Sequence, residues 1–279
     1  MSRLTLGSLF DGSGAFPLGG LLHGIDPIWA SEIEPFAIRV TSKRLPMMRH
    51  LGDINNIDGG KIPPVDIITG GFPCQNLSMA GNRDGLHGDR SGLFFQMVRV
   101  IREMRIATNN RAPRYVVVEN VPGMYSSNRG RDFCEVLNEL VKIKDETLSV
   151  PMPEKGKWLG AGEIVGGGFS LAYRTLCASG WGVPQRRRRC YLILDFAGEC
   201  AGKILFDEAS LLWNSAPCKQ PWKRTAGNPA DGIGSTINIL NDQGGGFINI
   251  SENITGTFRA EAHGHQPCII IENRHYSLV

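Results

Sequence analysis

The chain has 279 residues, 42% of them apolar and 20% charged, with a formal net charge of +3. This length suits one large domain or two small ones, and the composition is that of a soluble globular protein. No apolar run approaches the length of a membrane span, and "MSRLTLGSLFDG" turns polar and glycine-rich too early for a secretory signal, so a cytoplasmic protein with no membrane partner is expected.

In chain order, strands alternate with helices. "RLTLGSLF" (Arg3–Phe10) reads as a strand entering the glycine-rich turn "DGSGAF", and a helical stretch follows to about His23. "PIWASEI" (Pro27–Ile33) reads as a second strand, and Pro35 then stands at a first helical position. "VDIITGG" is a strand. In "SGLFFQMVRVIREMRI" (Ser91–Ile106), Leu93, Phe94, Met97, Val98, Ile101 and Met104 recur at helical spacing and predict one apolar face. "RYVVVENV" (Arg114–Val121) is a β-branched buried strand, "RDFCEVLNELVKI" (Arg131–Ile143) an amphipathic helix and "RRCYLILDF" (Arg188–Phe196) a further strand. The segment Thr147–Phe169 reads as an insertion or long loop. Alternation of this kind predicts an α/β fold, a mostly parallel sheet with helices on both faces. After Phe196 the sequence becomes polar, glycine-rich and non-periodic, so a boundary is expected there, dividing residues 1–196 from 197–279.

Ligands of an open parallel sheet sit beyond the carboxyl ends of its strands. Polar motifs occupy those ends here. "FDGSG" (Phe10–Gly14) would bring backbone close to a ligand at a helix N-terminus, although a tight turn alone reads the same way. Glu32, ending the second strand, could accept hydrogen bonds from two ribose hydroxyls or simply cap a helix. "GDI" (Gly52–Ile54) could hold an adenine amino group. Together the three have the order of a pocket for an adenosine-containing cofactor.

Of the seven cysteines, none forms a C-x-x-C pair, so no metal site is expected. Cys74 stands apart, in "GGFPCQ" at the mouth of a polar loop. Its proline fixes the preceding backbone and the glycines permit an open turn, which would present a thiol to a cleft. Glu119, leaving an apolar strand in "ENV", suits a proton donor. In "GVPQRRRRCYLI" (Gly182–Ile193) strand alternation sets Arg187 and Arg189 on one side and Arg186 and Arg188 on the other. That cluster reads either as a solvated basic edge or as one pair facing a cleft and the other meeting phosphates.

"FDGSG", "GDI", "GGFPCQ", "RSGLF", "VVVENV" and "GVPQRRRRCYLI", in this order over roughly residues 3–196, resemble the successive core motifs of the DNA cytosine-C5 methyltransferases. The style is similar to enzymes of phage, prophage or bacterial restriction–modification systems. The resemblance implies a Rossmann-like methyltransferase fold, S-adenosyl-L-methionine as cofactor and double-stranded DNA as partner. It implies that Cys74 attacks C6 of a flipped cytosine, that Glu119 pairs with N3 and the exocyclic amine, that Arg189 contacts O2 with Arg187 assisting, and that Asn76–Arg90 closes over DNA. By the same resemblance Phe10, Gly12, Gly14, Glu32, Ile33, Asp53, Ile54, Phe72 and Leu93 bind the cofactor. Ile33 departs from the aromatic residue that often covers the adenine in this family.

The family's C-terminal motifs are not found before Val279. Residues 197–279 resemble the start of a target-recognition region, and a truncated or split enzyme is expected, completed by a second chain and leaving apolar surface on the N-terminal helices. A non-catalytic subunit or decayed remnant remains an alternative, as does a transfer-RNA cytosine-C5 methyltransferase, which lacks support from any Cys-Phe-Thr signature. A nicotinamide dehydrogenase fits poorly, because the third glycine of its fingerprint is missing.

Overall fold

Every apolar run that the sequence sets before a polar strand end forms a strand, and these strands join in one sheet. A computed structural model describes residues 3–73, 92–153, 156–181 and 185–206, with four short strands farther on. The chain divides into two units, Met1–Thr175 with Cys190–Asp207, and Leu176–Arg189 with Glu208–Val279.

The strands are β1 (Thr5–Leu9), β2 (Asp26–Ser31), β3 (Arg49–His50), β4 (Ile67–Gly70), β5 (Tyr115–Asn120), β6 (Ala161–Gly166), β7 (Phe169–Cys177) and β8 (Arg188–Asp195), ordered β3-β2-β1-β4-β5-β8-β7-β6. The pairs from β3 through β5 are parallel. β8 runs antiparallel to β5, and β6 antiparallel to β7. Helices α1 (Ala15–Leu22), α2 (Pro35–Arg44), α3 (Leu93–Ala107), α4 (Arg131–Val141) and α5 (Ala201–Leu205) complete a Rossmann-like α/β architecture. Strand order reverses between β1 and β4, and the crevice at such a switch point is where open α/β sheets take ligands.

Period-2 alternation distributes the side chains. Val116 and Val118 of β5, with Leu192 and Leu194 of β8, join the main core under α3 and α4, whereas Val117 and Ile193 meet Ala201 and Leu205 of α5. Ala30 of β2 packs with Leu21, Leu45 and Met48 around α1 and α2. Helices therefore cover both faces. On α3 the predicted stripe is buried at Phe94, Met97, Val98, Ile101 and Met104, with Val100 added. Burying those side chains contributes on the order of 10 kcal/mol before ordering costs. Pro35 is the first residue of α2, and the Glu34 side chain caps it by accepting from the Phe36 N–H at 3.4 Å. The outer faces of α1 and α2 leave Leu18, Leu22 and Phe36 exposed.

The structure corrects the long-loop expectation for Thr147–Phe169. Ala161–Gly166 is the edge strand β6, and Phe169 opens β7. Two of the three partly covered positions in β6 are glycines, so no apolar alternation marks it. β7 buries six successive residues, a pattern that carries no period-2 signal either. In the second unit, β9 (Asn238–Asp242), β10 (Ile248–Glu252), β11 (Cys268–Ile271) and β12 (Arg274–Ser277) form an antiparallel sheet ordered β10-β9-β11-β12.

Candidate functional site

The turn leaving β1 is shaped by left-handed backbone. Phe10 and Gly12 each have φ +55° and Gly14 has φ +84°. A Cβ on Gly12 would meet nothing within 4 Å, so its conformation, and not crowding, calls for glycine. At Gly14 a Cβ would also fall 2.7 Å from Thr41 Cγ2. Glu32, just past β2, braces this turn. Its Oε2 accepts from the Gly12 N–H at 2.6 Å, and its Oε1 accepts from the Ile33 and Glu34 N–H groups at 2.8 and 2.9 Å. Helix α1 begins directly after Gly14 with no side-chain cap, which leaves its first N–H groups available to an anion.

Inside this turn lies Asp11, 7% exposed, with no hydrogen-bond partner on either carboxylate oxygen. Burial drives its pKa up to about 6. Ser8 opposes that rise, and the charge of Glu32 adds to it. The sequence reading passed over Asp11, whose one signal was an acid set between Phe10 and Gly12 at a strand end.

The other residues expected to hold a cofactor take different places. Asp53 Oδ1 accepts from the Asn55 N–H at 2.9 Å and starts a 3-10 turn over Ile54–Asn56. Ile54 is buried in the main core, and its carbonyl accepts from Arg99 Nη2 at 2.9 Å. Ile33 is 70% exposed. Leu93 opens α3 and is half-buried. The Phe72 ring is buried in the core against Phe94, centroids 4.8 Å apart.

The exit of β4 holds the second group. Gly70 and Gly71 permit close approach: a Cβ on Gly70 would lie 2.9 Å from the Met97 sulfur, and one on Gly71 would lie 3.2 Å from Glu119 Oε2. The Glu119 carboxylate thus rests against the backbone three residues before Cys74. Asn120, buried beside it, donates from Nδ2 to the Phe72 carbonyl at 3.1 Å and accepts from the Val121 N–H at 2.7 Å. Asn120 therefore ties the end of β5 to the segment leading to Cys74. Sequence reasoning quoted it within "ENV" and gave it no role. Cys74 itself and the loop Asn76–Arg90 lie outside the described residues.

Arg187 and Arg189 belong to the second unit. Both are half-buried, while Arg186 and Arg188 are exposed, the alternation that extended backbone imposes. The Arg187 carbonyl accepts from the Ala178 N–H at 2.9 Å. Among the described residues no group of three or more His, Cys, Asp or Glu side chains gathers to hold a metal, and no helix is long and apolar enough to cross a membrane.

Comparison with known proteins adds a family to this geometry. The Type II methyltransferase M2.BsuMI of Bacillus subtilis (strain 168) is 34% identical over 186 residues, 67% of this chain and 40% of that protein. The orphan methyltransferase M.SPRI of Bacillus phage SPR is 29% identical over 197 residues, covering 69% of this chain and 38% of its own. A DNA N-6-adenine-methyltransferase of Escherichia phage P1 is 29% identical over 266 residues, 86% of this chain and 35% of that protein. The chain spans less than half the length of each of these relatives. The family model for C-5 cytosine-specific DNA methylase matches residues 4–144, just over half of the 279 residues. That match runs from β1 through α4 and takes in both strand exits described above, and by it the chain belongs to the C-5 cytosine-specific DNA methylase family.

Proposed function

We propose that this chain carries the catalytic domain of an enzyme that transfers a methyl group from S-adenosyl-L-methionine to C5 of cytosine in double-stranded DNA. The observation that carries the reading is the Glu119 carboxylate set against Gly71, at the strand exit that leads to Cys74, in a chain of the cytosine-specific family.

The turn after β1 fits the cofactor. It offers open space over Gly12, an uncapped helix N-terminus, a carboxylate at the end of β2 and another at Asp53. When bound, S-adenosyl-L-methionine supplies an electrophilic methyl group. Glu32 takes the ribose hydroxyls and Asp53 the adenine amine, with Phe10, Ile33, Ile54, Phe72 and Leu93 contributing apolar surroundings.

The chain's own residues act on the base. A cytosine inside a duplex shields its reactive edge, so the base must leave the stack. The Cys74 thiolate adds to C6, which places electron density on C5 and makes that carbon the nucleophile. Glu119 hydrogen-bonds N3 and the exocyclic amine and stabilises the protonated ring. Arg189, assisted by Arg187, holds O2. After transfer a base removes the C5 proton, and Cys74 departs as thiolate. Residues 197–279 serve target recognition in this reading, supported by the separate sheet β9–β12. A second chain completes recognition, supported by the exposed apolar side chains of α1 and α2.

The test combines labelled S-adenosyl-L-methionine with mixed-sequence duplex, with and without a candidate second chain encoded nearby. A 5-fluorocytosine duplex should crosslink to the wild-type chain, or to its reconstituted complex, and not to Cys74→Ser. Crosslinking at Cys134 or Cys177, or no labelling under any of these conditions, would overturn the proposal.

A further inference from the structure

Buried polar groups in folded proteins nearly always find a partner, and those that do not call for a reason. Three side chains near the switch point lack one. Ser8 Oγ on β1, Thr69 Oγ1 on the neighbouring β4 and both oxygens of Asp11 are buried without a hydrogen bond. Ser8 and Thr69 stand in register across the parallel pair. Both residues alternate with core-facing neighbours, Leu9 and Ile68, and so point to the opposite face. Asp11 lies where that polar strip meets the ligand turn, its Oδ2 3.8 Å from the site of a Cβ on Gly14, the residue that precedes α1.

Other charges around Asp11 do not satisfy it. Glu32, from the end of β2, is itself acidic and raises the cost of charging Asp11. From α2, the Thr41 methyl reaches under Gly14, and the Thr41 hydroxyl is 3.2 Å from His50 Nε2 on β3. The N-terminus of α1 contributes a favourable dipole only. A carboxylate kept unpaired and desolvated is costly unless a cation arrives to meet it.

The cofactor of the proposed reaction carries such a cation. Its amino-acid portion ends in an α-ammonium and a carboxylate, and the uncapped α1 terminus already suits the carboxylate. We propose that Asp11 is the counter-ion of the cofactor's α-ammonium group, and so selects ligands that retain the amino-acid portion over those that end at the adenosine. This assignment rests on the cofactor reading of the turn after β1 and adds to it a residue that the motif comparison left without a role.

Two adenosine ligands separate the assignment from the reading beneath it. S-adenosylhomocysteine carries the ammonium, whereas 5′-methylthioadenosine lacks the amino-acid portion. Calorimetry on the full 279-residue chain should show that Asp11→Asn weakens S-adenosylhomocysteine by about tenfold or more and leaves 5′-methylthioadenosine unchanged. A second measurement needs no variant. Near pH 6, S-adenosylhomocysteine should release about half a proton on binding to the wild type, read from buffers of different ionisation enthalpy. 5′-Methylthioadenosine should release none, which also separates Asp11 from any contribution of His50. If the wild type binds both ligands but Asp11→Asn affects both equally or neither, the Asp11 assignment falls while the cofactor reading stands. If the wild type binds neither ligand, both fall.

Discussion

The two strand exits at the switch point are built on opposite plans. Leaving β1, the backbone is braced by a carboxylate from another strand, Glu32, and a second carboxylate, Asp11, is buried without a partner. Leaving β4, the backbone is held by a neutral amide, Asn120, and the carboxylate beside it, Glu119, stays half-exposed against Gly71. The first arrangement stores an electrostatic penalty in the folded chain and suits a small charged ligand that relieves it. The second fixes the path of the chain at modest cost and leaves its acid open to a large incoming group, such as a flipped base. On this view a lesion at the first exit changes cofactor affinity and fold stability together, and one at the second changes the chemical step.

The largest effect is expected at Glu119. Glu119→Gln keeps the shape and removes the acid, so single-turnover methyl transfer should drop by roughly 10²–10⁴-fold. Calorimetric affinity for S-adenosylhomocysteine should stay within about twofold of wild type, because a charge away from the ligand contributes little to its binding. A matching loss in affinity would erase the distinction between the exits.

Asp11→Asn should sharpen the same comparison through stability. The folded pKa of about 6 lies above the ordinary value of 3.8, so the folded chain holds its proton longer than the unfolded one. Wild-type stability from this group is therefore full below about pH 4, falls as pH rises toward 6 and stays low above that. A gap of about two pKa units corresponds to about 3 kcal/mol. Asparagine does not titrate, so the variant should match wild type near pH 4 and exceed it by about that amount at pH 7.5, measured by urea denaturation without ligand. An advantage that does not change with pH would mean that Asp11 is not desolvated in solution.

Which of these features could be seen in the sequence depends on the kind of signal each one leaves. The helices α3 and α4 announce themselves because Phe94, Met97, Val98, Ile101 and Met104, and Phe133, Val136, Leu137 and Leu140, repeat at helical spacing and are buried for that reason. β5 is legible from its run of valines, and Pro35 marks the start of α2. β6 and β7 are not legible: one is glycine-rich and largely exposed, the other is buried along most of its length. The motif residues were found by the order in which they recur. The roles of Asp11 and Asn120 depend on what faces them from distant chain, Glu32 in one case and Phe72 in the other, and no local pattern encodes that.

At Glu32 a smaller, double effect is expected. Glu32→Ala removes the acceptor shared by the Gly12, Ile33 and Glu34 amides. Such a loss costs about 1–3 kcal/mol of stability, and S-adenosylhomocysteine should bind roughly tenfold or more weakly. Denaturation and calorimetry on one preparation test both. An affinity loss with unchanged stability would show that Glu32 serves the ligand alone and does not brace the turn.

Asn120→Ala should have the smallest effect on the fold and the most informative one on function. The substitution deletes a neutral donor to the Phe72 carbonyl and an acceptor for the Val121 N–H. Neutral hydrogen bonds of this kind are each worth about 0.5–1.5 kcal/mol, so a stability loss of about 1–3 kcal/mol is expected, enough to measure and not enough to unfold the chain. The segment freed by the change leads directly to Cys74, and a nucleophile displaced by about 1 Å can lose about 10²-fold in rate. Methyl transfer should therefore fall by more than the stability change alone would suggest, while S-adenosylhomocysteine affinity stays close to wild type. Asn120→Asp keeps the acceptor and replaces the donor by a charge facing a carbonyl, so it should be slower still. Rate losses that vanish when both variants are assayed well below their melting temperatures would reduce Asn120 to a purely structural strand-end residue, and would leave Glu119 as the one residue of that exit that matters to the chemistry.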